Sequence, residues 1–137
     1  MKIEHFALNV EDPLAMSHWY TQHLGMHVVR QLDVAPFTTF LSDDSGRTLL
    51  EIYKKPAENV PVYKQMDPLQ LHLAFVSFQP KEDAERLVKA GASWEKEDQF
   101  ADGTLLVMLR DPWGLALQLC KRAFPLLTEA EIKPFFS

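Results

Sequence analysis

The hydrophobic positions of this chain change period as it is read from its first residue. IEHFALNV, residues 3–10, alternates apolar and polar side chains, is rich in β-formers and ends at the turn signal Glu11-Asp12-Pro13, the pattern of a strand. PLAMSHWYTQHLG opens with Pro13, closes at Gly25 and carries Leu14, Trp19, Tyr20 and Leu24 near helical spacing, which predicts a helix. MHVVRQL, PFTTFLS and TLLEIYKK follow as short strands, the last two separated by the turn DDSG. Residues 1–55 therefore predict a β-α-β-β-β module.

Residues 56–70 break the pattern, because Pro56, Pro61 and Pro68 make poor material for a helix or a central strand, and this segment reads as a linker. Beyond it the first plan returns over residues 71–122. LHLAFVSF is a strand, PKEDAERLVKAG a helix ending at glycine, and ASWEKED, TLLVMLR and LALQLCKR are strands again. The spacing supports an internal repeat: His5 to Glu51 is 51 − 5 = 46 positions and His72 to Gln118 is 118 − 72 = 46, so both pairs are offset by 67. Gly25 and Gly91 fall 20 and 19 residues after their histidines, the slack of one insertion or deletion. One domain spanning 1–137 is expected, with 123–137 as a C-terminal tail.

A repeat that sets one polar side chain in its first strand and another in its last gives two matched pairs when duplicated. His5 shares a strand face with Ala7 and Asn9, whereas Phe6, Leu8 and Val10 point the other way, toward a helix-covered core. Glu51 likewise shares its face with Leu49 and Tyr53, and Gln118 with Ala116 and Cys120. A single strand histidine is ordinarily a hydrogen-bonded packing residue, and a buried glutamate ordinarily pairs with a cation. The shared spacing points instead to one divalent metal ion held by His5, Glu51 and His72, with Gln118 as the fourth protein ligand. Two imidazoles, a carboxylate and an amide oxygen suit Ni, Zn, Fe, Mn or Co equally. Such a site leaves positions for substrate oxygens, which the ion would polarise.

Composition narrows the partners. A formal net charge of −5 without a run of Lys or Arg argues against nucleic acid and anionic membrane, leaving a small-molecule substrate as the expected partner. The start MKIEHFALNV lacks the apolar core of a signal peptide, no apolar stretch reaches transmembrane length, and Cys120 is the one cysteine, so the expected location is cytoplasmic.

These residues resemble the vicinal oxygen chelate superfamily, which holds glyoxalase I, extradiol dioxygenases, methylmalonyl-CoA epimerase and the fosfomycin and bleomycin resistance proteins. The resemblance runs from Ile3 to about Arg122 and is carried by HFALNVEDPLAMSHWYTQHLGM, the mid-chain HLAF and the closing DPWGLALQL, which resembles the family's Asp-Pro-x-Gly turn before the last ligand strand. It implies an α+β fold in which two βαβββ modules form a U-shaped mixed sheet with a metal-binding cleft, usually in a homodimer. It also implies metal ligands at His5, Glu51, His72 and Gln118. Gln118 departs from the glyoxalase I pattern, in which a glutamate there serves as the base. An amide cannot accept that proton, and general acid–base catalysis contributes roughly 10²–10⁴-fold, so Glu51 is the candidate catalytic residue.

The resemblance and the ligand set together lead to a glyoxalase-like, metal-dependent isomerase or lyase acting on a small oxygenated substrate. The 2-His-1-carboxylate content keeps an Fe(II) dioxygenase open, and the family also holds binding proteins of the bleomycin-resistance kind, which generally lack the histidine pair. His18, His23 and His27 lie in or after the first helix and are expected at the surface, Tyr53 and Cys120 beside the cleft, and Trp113 in a packing or rim position. In the tail, Thr128 and Glu131 have the spacing of a capping box, predicting a short helix at about Glu129 to Lys133. Phe124, Leu126, Leu127, Phe135 and Phe136 would pack on the same chain, close a cleft or meet a second subunit.

Overall fold

The computed structural model describes residues 1–47 and 49–132. Among the described residues the fold is α+β, with two α-helices and two four-stranded mixed sheets. The chain divides into two compact units, Met1–Pro61 and Val62–Ser137. Among the described residues no helix is long and apolar enough to cross a membrane.

The first unit holds β1 (His5–Asn9), α1 (Pro13–Leu24), β2 (His27–Gln31), β3 (Thr39–Ser42) and β4 (Leu49–Tyr53), in the sheet order β1-β4-β3-β2. α1 starts where Asp12 accepts a hydrogen bond from the Ala15 N–H at 3.1 Å and Pro13 occupies the first turn. It stops at Gly25, which takes the left-handed φ of 68° and returns its N–H to Tyr20 O. The helix buries Met16, Ser17, Trp19 and Tyr20, and Leu8, Leu41, Leu50 and Ile52 on the strands are buried as well. Full burial of such an aliphatic side chain contributes about 1.5–3 kcal/mol. Phe6 departs from the expected core set: at the open start of β1 it remains half exposed. Asn9 ties the segment after β4 back to β1, accepting from Lys55 N at 2.8 Å and donating to Pro56 O at 2.9 Å.

The second unit repeats the plan with β5 (Leu73–Val76), α2 (Pro80–Lys89), β6 (Ser93–Gln99), β7 (Leu105–Arg110) and β8 (Ala116–Lys121), ordered β5-β8-β7-β6. The parallel pairs keep one register, since His5 faces Leu49 (49 − 5 = 44) and Leu73 faces Leu117 (117 − 73 = 44). A bulge interrupts β2 between Val28 and Arg30, and another interrupts β6 between Trp94 and Lys96. α2 is built with Glu82 and Asp83 in its first turn and Arg86 and Lys89 in its last, the charge order its dipole favours, and it buries only Pro80, Ala84 and Leu87.

A 3-10 turn at Tyr63–Gln65, within the segment read as a linker, lies against the β7–β8 turn. Arg110 donates to Tyr63 O, Met66 O and Gly114 O at 3.1, 2.8 and 3.0 Å. Gly114 has φ +93°, and a Cβ there would lie 2.7 Å from the Lys64 backbone nitrogen, so glycine is required twice over. In the tail the Thr128–Glu131 capping box forms and the helix is a single 3-10 turn, Glu129–Glu131; Lys133, Phe135 and Phe136 lie outside the described residues. Phe124, Leu126 and Leu127 are exposed, which removes packing on the same chain for these three.

Candidate metal centre

Strand register places Glu51 on the same face as His5. Ala7 pairs with Glu51 across β1 and β4, and His5, two residues before Ala7, shares its face. The two side chains meet, with His5 Nε2 lying 3.0 Å from Glu51 Oε2, and their side chains are 36% and 17% exposed. On its other edge His5 Nδ1 lies 2.9 Å from Glu4 Oε1. Phe40, cross-strand neighbour of Glu51, sets its ring edge-on to the imidazole with centroids 5.8 Å apart.

This bracketing has a chemical consequence. A neutral imidazole carries one N–H, so only one of the two carboxylates can receive a hydrogen bond from it; the other nitrogen must share a proton or a cation with its carboxylate. If Nδ1–H donates to Glu4, the Nε2 lone pair and Glu51 Oε2 face one cation position, the carboxylate–histidine–metal arrangement of many metal sites.

In the second unit His72 lies immediately before β5 and is half-buried. Its Nδ1 is 2.8 Å from Pro68 O. A carbonyl oxygen only accepts, so Nδ1 is the donor, which in a neutral ring leaves the lone pair on Nε2, the tautomer a metal ligand needs. Gln118 sits in β8 between Ala74 and Met108 and is half-buried. Its Oε1 accepts from the Cys120 thiol at 3.3 Å. Burial pushes the Cys120 thiol up from its ordinary value, against the opposing pull of the Arg122 charge, which keeps sulfur a donor rather than a thiolate. The Gln118 oxygen retains a second lone pair.

Among the described residues no group of three or more His, Cys, Asp or Glu side chains is placed to hold a metal ion. The first unit brings His5 and Glu51 together, and in the second His72 and Gln118 are each engaged by another partner. The donors nevertheless fit a borderline divalent ion in kind: two imidazole nitrogens, each with its second nitrogen beside an acceptor, a carboxylate and an amide oxygen.

Of the other histidines, His18 is exposed and His27 is exposed beside Asp44 at 3.2 Å. His23 is half-buried against Trp19, with ring centroids 5.2 Å apart, because α1 turns both side chains to one side. Trp113 is half-buried in the turn, where its backbone N–H donates to Asp111. Sequence reasoning missed Glu4, Phe40 and the Pro68 carbonyl. Adjacency to His5 was a visible signal for Glu4, whereas the other two depend on strand pairing and on a loop returning to its own histidine.

The model of the Glyoxalase/Bleomycin resistance protein/Dioxygenase superfamily matches residues 2–119. No curated protein matches. Among solved structures the chain is similar to SMU.1112c, at 25% identity and a TM-score of 0.65 over 88% of this chain and 98% of that one. It is also similar to the lactoylglutathione lyase of Agrobacterium tumefaciens, at 22% identity and a TM-score of 0.63 over 88% and 93%. TnmS3, an antibiotic binding protein from Streptomyces sp. CB03234, matches at 16% identity and a TM-score of 0.67 over 88% and 94%, a likeness of fold. With the family model spanning most of its length and two βαβββ modules in its fold, this chain belongs to the Glyoxalase/Bleomycin resistance protein/Dioxygenase superfamily.

Proposed function

We propose that this protein is a glyoxalase-like, metal-dependent enzyme, an isomerase or lyase, that takes a small oxygenated substrate at one divalent ion bound through His5, Glu51, His72 and Gln118. The observation that carries the reading is the approach of His5 Nε2 to Glu51 Oε2 at 3.0 Å with Glu4 on the opposite ring edge. A bound divalent ion supplies Lewis-acid polarisation of the substrate's chelating oxygens.

The chain's own residues supply the rest. Glu4 holds the His5 ring in one orientation, and the Pro68 carbonyl does the same for His72. Gln118 offers an oxygen but takes no proton, so proton transfer next to the polarised oxygens falls to Glu51. Phe40 walls the donor face and limits water beside the histidine. A homodimer in the cytoplasm completes the reading.

Metal analysis of protein purified without a histidine tag tests it. About one equivalent of divalent metal is expected, falling sharply in His5→Ala and in Glu51→Ala. Less than about a tenth of an equivalent, unchanged by His5→Ala, overturns it. The aromatic edge of Phe40 favours one rival, sequestration of a small molecule without chemistry. Under that rival, ligand binding survives both chelation of metal and the Glu51→Ala change.

A further inference from the structure

A row of four residues runs across the first sheet in register: Ala7 on β1, Glu51 on β4, Phe40 on β3 and Arg30 on β2. Paired residues on neighbouring strands share a face, so Arg30 lies on the face that carries His5 and Glu51. Two contacts fix this. Phe40 meets the His5 ring, which marks the donor face. Gln31, next after Arg30, donates to Ser17 Oγ of α1 at 3.3 Å and to Thr39 Oγ1 at 3.1 Å, which marks the opposite, helix-covered face. The bulge is what turns Arg30 round: Val28 pairs with buried Leu41, and one extra residue, Val29, shifts Arg30 to the other side.

The second sheet has the same row, Ala74, Gln118, Met108 and Lys96, with its bulge at the equivalent place. There Lys96 Nζ is paired with Asp98 Oδ2 at 3.2 Å and Met108 is buried. Arg30 is exposed and pairs with no carboxylate among the described residues. Strands about 4.8 Å apart put it two strand widths, about 10 Å, from Glu51, with the Phe40 ring between. A guanidinium so placed can take an anionic group in a forked pair of hydrogen bonds.

We propose that Arg30 receives an anionic group at the far end of the substrate, whose middle lies over Phe40 and whose other end carries the chelating oxygens. The inference rests on the metal reading above. It narrows the substrate to a small chelating acid and makes Arg30 a specificity residue.

Two matched probes test it on cobalt-loaded protein: hexanohydroxamate and the monohydroxamate of adipic acid, identical chelators of which only the second ends in a carboxylate. Cobalt absorption and calorimetric titration report each affinity. The carboxylated probe should bind about five- to tenfold tighter, and the preference should shrink with added salt. Arg30→Gln should erase the preference while leaving cobalt uptake and hexanohydroxamate affinity intact; Arg30→Lys should restore part of it, and Lys96→Gln should leave it unchanged. Equal affinities in the native protein, or a preference that survives Arg30→Gln, overturn the role of Arg30 while leaving the metal reading standing. A protein that takes up no cobalt overturns the metal reading and this inference together.

Discussion

In the first half the histidine and the carboxylate meet, with His5 Nε2 3.0 Å from Glu51 Oε2. In the second, His72 turns Nδ1 to the Pro68 carbonyl and Gln118 accepts from Cys120. The ladders beneath them share strand order, parallel register and bulge position. The two halves therefore share the backbone that aims side chains, while neighbours in sequence and in loops decide what each donor touches. Arg110 shows the same divergence: it stands opposite Ser93 where Ser42 stands opposite His27, and it fastens the preceding segment to its unit through the Tyr63 and Met66 carbonyls while also donating to Gly114 O in the β7–β8 turn.

The largest effect expected from breaking this comparison is at the turns. Gly114→Ala places a methyl against Lys64 backbone atoms at positive φ and should cost about 2–4 kcal/mol in denaturant unfolding. Gly46→Ala, in the corresponding turn of the first half, meets nothing within 4 Å and should cost about 1 kcal/mol from its φ of +64° alone. Equal losses would show that the turn of the second half is not clamped as described.

A smaller effect separates the two histidines. Glu4→Gln removes the charged partner of His5 Nδ1 and should weaken cobalt binding roughly tenfold, measured by competition with a chelating dye. The second half holds its histidine by a backbone carbonyl, which no side-chain change removes. An unchanged cobalt affinity would make the Glu4 contact incidental.

The smallest effect concerns the β6–β7 turn, where Asp102 accepts from Thr104 N at 2.9 Å. Hydrogen bonds from the Thr104 backbone and hydroxyl hold the Asp102 carboxyl below its usual 3.8. A depressed folded value means that the contribution to stability is present above the unfolded value and is lost as pH falls through the folded one. Asp102→Asn should therefore lower the unfolding midpoint slightly at pH 7 and leave it unchanged in acid below both values. A difference that persists in acid would assign the effect to something other than the charge.

The starts of both helices, the end of the first and the eight strands among the described residues were legible in the chain, because alternation, Pro13 and Pro80 at helix starts and Gly25 at a helix end are local signals. The second helix instead stops at Lys89, capped by Ala90, ahead of the glycine expected to end it. The repeat spacing also singled out His5, Glu51, His72 and Gln118, since equal intervals survive duplication in the sequence itself. Only the tertiary structure set Phe40 against His5, brought the Pro68 carbonyl to His72 and inserted Val29 so that Arg30 turned to the donor face. Periodicity reports which residues alternate along one strand, whereas a bulge, a cross-strand neighbour and a returning loop depend on hydrogen bonds between segments distant in the chain.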